Sequence, residues 1–87
     1  MPYRIVILPR AHRELAKLPH PAAERIARAI DALGHQPRPP GVRKLAGDDD
    51  LWRVRVGEYR VIYQIQDAVL LVLVVRIGHR RDIYKRN

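Results

Sequence analysis

The stretch DLWRVRVGEYRVIYQ, residues 50–64, alternates side-chain character on either side of Gly57-Glu58. Alternation of that period belongs to β-strands, and glycine in first place of a two-residue connection suits a tight hairpin turn. The implied pairing sets Val56 against Tyr59, Arg55 against Arg60, Val54 against Val61 and Arg53 against Ile62. Arg53, Arg55 and Arg60 then share one face, while Trp52, Tyr59 and Tyr63 share the other as core. Like charges directly opposite each other are unfavourable by roughly 0.2–1 kcal/mol, so folding alone gains nothing from Arg55 facing Arg60. A bound anion offsets the repulsion, and guanidinium forks match phosphate oxygens in a bidentate manner. Pairing each arginine with a loop carboxylate (Asp48, Asp49 or Asp50) is the alternative.

Outward from this hairpin, the pattern predicts an α+β fold in one domain spanning residues 1–87. YRIVIL (3–8) reads as an N-terminal strand ending at Pro9. Ala11, Leu15 and Leu18 then recur at helical spacing, and Pro19 stops the helix. Pro21 opens a second helix with Ala23, Ile26, Ala27, Ile30 and Leu33 inward and Glu24, Arg25, Arg28 and Asp31 outward. Gly34 suits a left-handed cap. The two helices form a hairpin with almost no loop. HQPRPPGVRK (35–44) is a loop leading to a short strand at Val42–Leu45, and AGDDD (46–50) is a turn. Strands over 51–56, 59–66 and 69–77 complete an antiparallel sheet of three to four strands, followed by a short C-terminal tail or helix. VLLVLVVRI is apolar on both faces, which predicts a central, covered strand.

Charge narrows the partner. Seventeen Lys and Arg against nine Asp and Glu give +8. Residues 53–87 hold eight basic and three acidic groups, a net of +5. Such an excess is the electrostatic footprint of a polyanion binder, most often of nucleic acid. An acidic protein partner would answer the same field. Cysteine is absent, which removes disulfides and thiolate chemistry and fits a reducing cytosol. MPYRIVILPR lacks the form of a signal peptide, and the longest apolar run, Ala68 to Val75, is too short to span a bilayer. The expectation is a soluble, cytoplasmic protein with no membrane partner.

A turn at Asp67-Ala68 would place Arg60 opposite Val75. His79 would then follow on the arginine face, with Arg80, Arg81 and Tyr84 just beyond. Neighbouring positive charge disfavours imidazolium and leaves neutral imidazole as a potential base. His12, His20 and His35 belong to the helix region and its loop and are expected at the surface. No Asp/His ligand cluster and no Gly-rich phosphate loop stand out, so neither metal nor cofactor is expected.

KLAGDDDLWRVRVGEYRVIYQI followed by VLVVRIGHRRDIY resembles the RelE/ParE superfamily of bacterial toxin–antitoxin modules, in its RelE branch. The likeness extends over nearly the whole chain, and GEYRVIYQI and GHRRDIY are its most specific parts. The resemblance implies a ribosome-dependent mRNA endoribonuclease that cuts the codon exposed in the A site and inhibits translation. It also implies an acidic or amphipathic antitoxin, alongside ribosome and mRNA as partners. By position, Arg60 matches the archetype's phosphate-binding arginine, Arg80 the arginine after its G-basic pair, and Tyr84 its C-terminal tyrosine. Arg53 and Arg55 fall where the archetype has lysines; arginine stays charged and makes a poor base. His79 stands at a lysine position, and histidine near it is catalytic in some relatives. The segment from Arg80 to Tyr84 is two residues shorter than in the archetype.

RNA is cut without metal when its own 2′-hydroxyl attacks the adjacent phosphorus. That chemistry needs a base, stabilisation of charge on the phosphate, and an acid for the departing 5′-oxygen. Arg55, Arg60 and Arg80 are the candidates for holding the phosphate. His79 is the candidate base or acid, and Tyr84 shares proton transfer or stacks on a nucleobase. Arg53, Arg81 and Lys44 are candidates for binding the RNA backbone. A ParE-like gyrase poison of the same fold, and a non-catalytic nucleic-acid binder acting as co-repressor, are the competing functions.

Overall fold

The computed structural model describes residues 2–45, 47 and 50–81. Along the chain run β1 (Arg4–Ile7), α1 (Pro9–Ala16), α2 (His20–Leu33), β2 (Arg43–Lys44), β3 (Leu51–Val56), β4 (Tyr59–Gln66) and β5 (Leu71–His79). They build a sheet in the order β1-β5-β4-β3-β2. Strands β2 to β5 form the antiparallel sheet read from the sequence, and β1 joins it in parallel beside β5. The doubly apolar strand lies, as expected, between two others. The expected C-terminal tail or helix, Tyr84, and Asp48 and Asp49 of the acidic turn lie outside the described residues.

One face of the sheet packs on the helices. Ala11 of α1 and Ile26, Ile30 and Leu33 of α2 are buried against Val61, Tyr63, Ile65, Val72, Val74 and Ile77. Trp52 and Tyr59 pack on the margin of this core, on the aromatic face that alternation assigns them. Ala27 is exposed, so the buried stripe of α2 is narrower than its spacing suggests. Gly34 is not a left-handed cap: its φ is −64°. Close approach explains the glycine instead, because a Cβ there would lie 3.1 Å from the carbonyl oxygen of Tyr3, just before β1.

Two side chains tie the layers together. Strand β1 pairs with β5 as far as Ile7 opposite Val74, and among the described residues no strand continues along the upper edge of β5. Glu14 of α1 fills that place. Its carboxylate accepts the Ile77 N–H at 2.9 Å and binds the Arg76 guanidinium at 3.0 Å, with both side chains largely buried. At the opposite end, Arg38 pins the loop before β2. It forms a two-pronged ion pair with Asp67, which also accepts the Tyr3 hydroxyl, and its guanidinium lies 4.9 Å over the Trp52 ring. The buried Tyr63 hydroxyl donates to the Pro37 carbonyl in the same loop at 2.7 Å.

The β4–β5 connection departs from expectation twice. A 3-10 turn at Asp67–Val69, closed by Leu70 at φ 51°, replaces the two-residue turn, so Gln66 pairs with Leu71 instead of Val69. Higher up, Tyr63 pairs with Val74 but Ile62 with Arg76, so Val75 is the extra residue of a bulge. The first shift is even and preserves the faces. The bulge adds one more residue and turns every later side chain of β5 over.

Candidate nucleic-acid interface

The β3–β4 register is the one implied by the sequence: Arg55 pairs with Arg60, Arg53 with Ile62 and Val56 with Tyr59. Gly57 makes the turn with φ 61°, the left-handed value that a two-residue connection asks of its first position. Strand β2 adds a fourth cation, since Arg43 pairs with Arg53 on the next strand. Pairing partners share a face, so Arg43, Arg53, Arg55 and Arg60 all project away from the helices. Together with Gly41 they line a cleft of about 280 Å³. Arg55 is exposed, and its Nε donates to the Gly57 carbonyl at 3.1 Å, which folds the side chain back over the turn.

The other predicted residues fall elsewhere. His79 pairs with Tyr59 and meets its ring edge-on at 5.8 Å, on the helix-covered face. The expectation that His79 joins the arginines is therefore corrected, and the bulge at Val75 is the reason: Arg60 lies opposite Gly78, not Val75. The His79 Nδ1 accepts the Arg81 backbone N–H at 3.2 Å, which leaves the ring's other nitrogen as the donor. Arg80 lies at the turn. Its N–H donates to the Glu58 carbonyl at 2.9 Å, and its Nε contacts the Glu58 carboxylate at 3.1 Å.

Lys44 pairs with Trp52, so it stands on the aromatic face and not among the arginines. Its ammonium lies 3.1 Å from Asp50 and 5.8 Å from the Trp52 ring centre. Asp50, one of the loop acids considered as an arginine partner, is engaged by Lys44 instead. His12, His20 and His35 are exposed, as the sequence suggests. Sequence reasoning missed Arg43. No spacing marks it, because Val42, Arg43 and Lys44 do not alternate, and placing Arg43 requires the pairing of β2 with β3.

The Asp67 end of the sheet carries a cluster of shifted groups. The two hydrogen bonds from Arg38, then that from Tyr3, hold the Asp67 carboxyl down at about 2. The hydrogen bond to Asp67 raises the Tyr3 phenol, and burial pushes Tyr63 up to about 12. This cluster anchors the loop that carries Gly41 and leads into Arg43 of β2. Arginine keeps its charge over the whole physiological range, so the cleft can neutralise an anion but is poorly suited to accept a proton.

The small α+β domain thus gathers four guanidinium groups on one sheet face, a concentration of positive charge at a single cleft. Comparison with known proteins gives the family. A family model described as "ParE toxin of type II toxin-antitoxin system, parDE" matches residues 5–84. Toxin RelG of Mycobacterium tuberculosis is 36% identical over 90 residues, covering 99% of this chain and all of the relative. The archaeal RelE–RelB complex of Pyrococcus horikoshii OT3 contains a chain that superposes with a TM-score of 0.83 at 32% identity. That match covers 94% of this chain and 99% of the other. The RelBE2 toxin–antitoxin complex of M. tuberculosis matches with a TM-score of 0.80 at 28% identity, covering 92% and 100%. The chain belongs to the RelE/ParE superfamily of type II toxin–antitoxin toxins, with RelE-like relatives. No helix among the described residues is long and apolar enough to cross a membrane.

Proposed function

We propose that this toxin is an mRNA endoribonuclease that acts on the ribosome, cutting message in the A site and stopping translation. The convergence of Arg43, Arg53, Arg55 and Arg60 on one cleft carries the reading. A scissile phosphodiester seated there meets guanidinium forks instead of mutual repulsion. The 2′-hydroxyl attacks the adjacent phosphorus, and the bond from phosphorus to the 5′-oxygen breaks. The products are a 2′,3′-cyclic phosphate and a 5′-hydroxyl. Arg55 and Arg60 stabilise the charge that builds on the phosphoryl oxygens, while Arg53 and Arg43 hold the flanking backbone. Arg80 joins them when a phosphate competes with Glu58 for its guanidinium, and Arg81 contributes to backbone binding.

Proton transfer is the weak part of this apparatus. The cleft is lined by arginines, and His79 stands behind the sheet, so its direct role requires the end of β5 to rearrange. Tyr84 is the chain's remaining candidate on its match to the family pattern. An enzyme strong in charge stabilisation and poor in bases depends on an outside scaffold to align the 2′-hydroxyl, which is what a ribosome would supply. An acidic or amphipathic antitoxin is the expected protein partner, in keeping with the RelB complexes formed by its structural relatives.

The match to a ParE-described family keeps a second reading open: poisoning of DNA gyrase without RNA cleavage. Addition of the protein to a cell-free translation extract, with mapping of message 5′ ends, separates the two. New 5′-hydroxyl ends within codons at the A site are expected. Gyrase-dependent DNA breaks with intact message would establish the ParE reading, and neither product would leave a non-catalytic co-repressor.

A further inference from the structure

A second cavity, of about 360 Å³, opens on the other side of β3. Its floor is apolar, formed by Ala29, Ala32 and Leu33 of α2 with Val54 and Val56 of β3, and Arg25 and Gln36 stand at its rim. Arg55 lines both this cavity and the arginine cleft, so the two adjoin at that side chain. Among the described residues β2 pairs with β3 at Trp52 and Arg53, and no strand pairs with Val54–Val56 on that side. Gly57 also shapes the site: a Cβ there would lie 3.2 Å from both terminal nitrogens of Arg25, so glycine leaves room for that guanidinium beside the turn.

We infer that this cavity is a nucleobase subsite, receiving the base of a nucleotide whose phosphate lies in the arginine cleft. The inference rests on the ribonuclease reading above. An apolar slot with a few polar groups at its rim is the general form of a small-ligand pocket. Arginine and glutamine are the side chains that address purine edges in pairs of hydrogen bonds, and guanidinium planes also stack on bases. The described residues that line the cavity are cationic or neutral, a lining that suits an anionic nucleotide. The phosphate and base of a single nucleotide lie far enough apart to reach over one arginine. Arg55 would then touch both halves of the same residue, joining base selection to phosphate binding.

The test uses RNA triplets carrying a 2′-O-methyl group at each position, which removes the nucleophile, compared with the same triplets made abasic at one position. Backbone amide shifts and Kd are read by NMR titration of the full chain. The base-bearing triplet should shift Ala29, Ala32 and Val54 together with Arg53, Arg55 and Arg60. One abasic position should abolish the α2 shifts and weaken binding by about tenfold, the usual order for losing a seated base. Ala32→Leu fills the slot from an exposed position and should weaken the complete triplet while leaving the abasic one unchanged. Equal affinities, with shifts confined to the arginine face for both triplets, would overturn the subsite and leave the ribonuclease reading intact. Absence of shifts on the arginine face with any triplet would remove both. Shifts at Ala29 and Ala32 from a peptide of alternating glutamate and leucine, but from no triplet, would assign the cavity to a protein partner and overturn the RNA subsite.

Discussion

Arg55 and Arg60 face each other directly across the β3–β4 hairpin, and Arg43 and Arg53 repeat the arrangement one strand further out. Two such pairs of like charge in a chain of 87 residues are unfavourable cross-strand neighbours. The arrangement makes physical sense as a site whose ligand removes the repulsion.

Arg55→Thr should separate stability from function. Threonine suits an exposed strand position, and the relieved repulsion offsets the lost hydrogen bond to the Gly57 carbonyl. Thermal unfolding should show a change within about 1 kcal/mol. RNA binding should weaken several-fold and become less salt-dependent, as expected when one phosphate contact is lost.

Glu14 completes the edge of β5, so its loss should cost stability. Glu14→Ala leaves the Ile77 N–H and the Arg76 guanidinium without their acceptor and should destabilise the fold by about 2 kcal/mol. Glu14→Gln keeps an acceptor for Ile77 and should cost about half as much. Urea unfolding of both variants measures the difference.

Asp67 gives the loop before β2 an acid-sensitive anchor. Its carboxyl is lowered from 3.8 to about 2, so it binds fewer protons in the folded state than in the unfolded state. The stability it contributes is present above pH 3.8 and is lost as pH falls through about 2. Between those values the wild-type protein should lose stability more steeply than Asp67→Asn, as followed by Trp52 fluorescence during denaturant unfolding. Parallel curves would show that the ion pair with Arg38 adds nothing.

Gly57→Ala should be costly beyond its size. The position has a φ of 61°, and the added methyl would press on Arg25. A left-handed alanine costs about 1 kcal/mol or more, which should appear as a lowered Tm.

The hairpin was legible because its two signals agree: strict alternation and a glycine-first turn both lead to one register. The core-facing stripe of α2 was legible for the same reason, apart from Ala27. Strand β5 was legible as a central strand but not in its upper register. Leucine at position 70 takes the left-handed conformation that glycine or asparagine ordinarily marks, so no residue announces the longer turn. The bulge at Val75 sits inside a uniformly apolar run, where alternation carries no information about which face a residue occupies. The longer turn shifts the register and the bulge turns His79 from the arginine face to the side of Tyr59. Arg43 was hidden for a different reason: a strand of two residues has no period to read.

The central claim is that the arginine cleft holds the phosphodiester being cut. Single-turnover cleavage of ribosome-bound message by the wild-type protein and by Arg55→Ala, Arg60→Ala and His79→Gln tests it most directly. Each arginine variant, still folded by circular dichroism, should lose about 100-fold or more in rate, the scale of removing a charge-stabilising group. His79→Gln should retain most of the activity. Wild-type rates in the two arginine variants, or loss confined to His79→Gln, would contradict it.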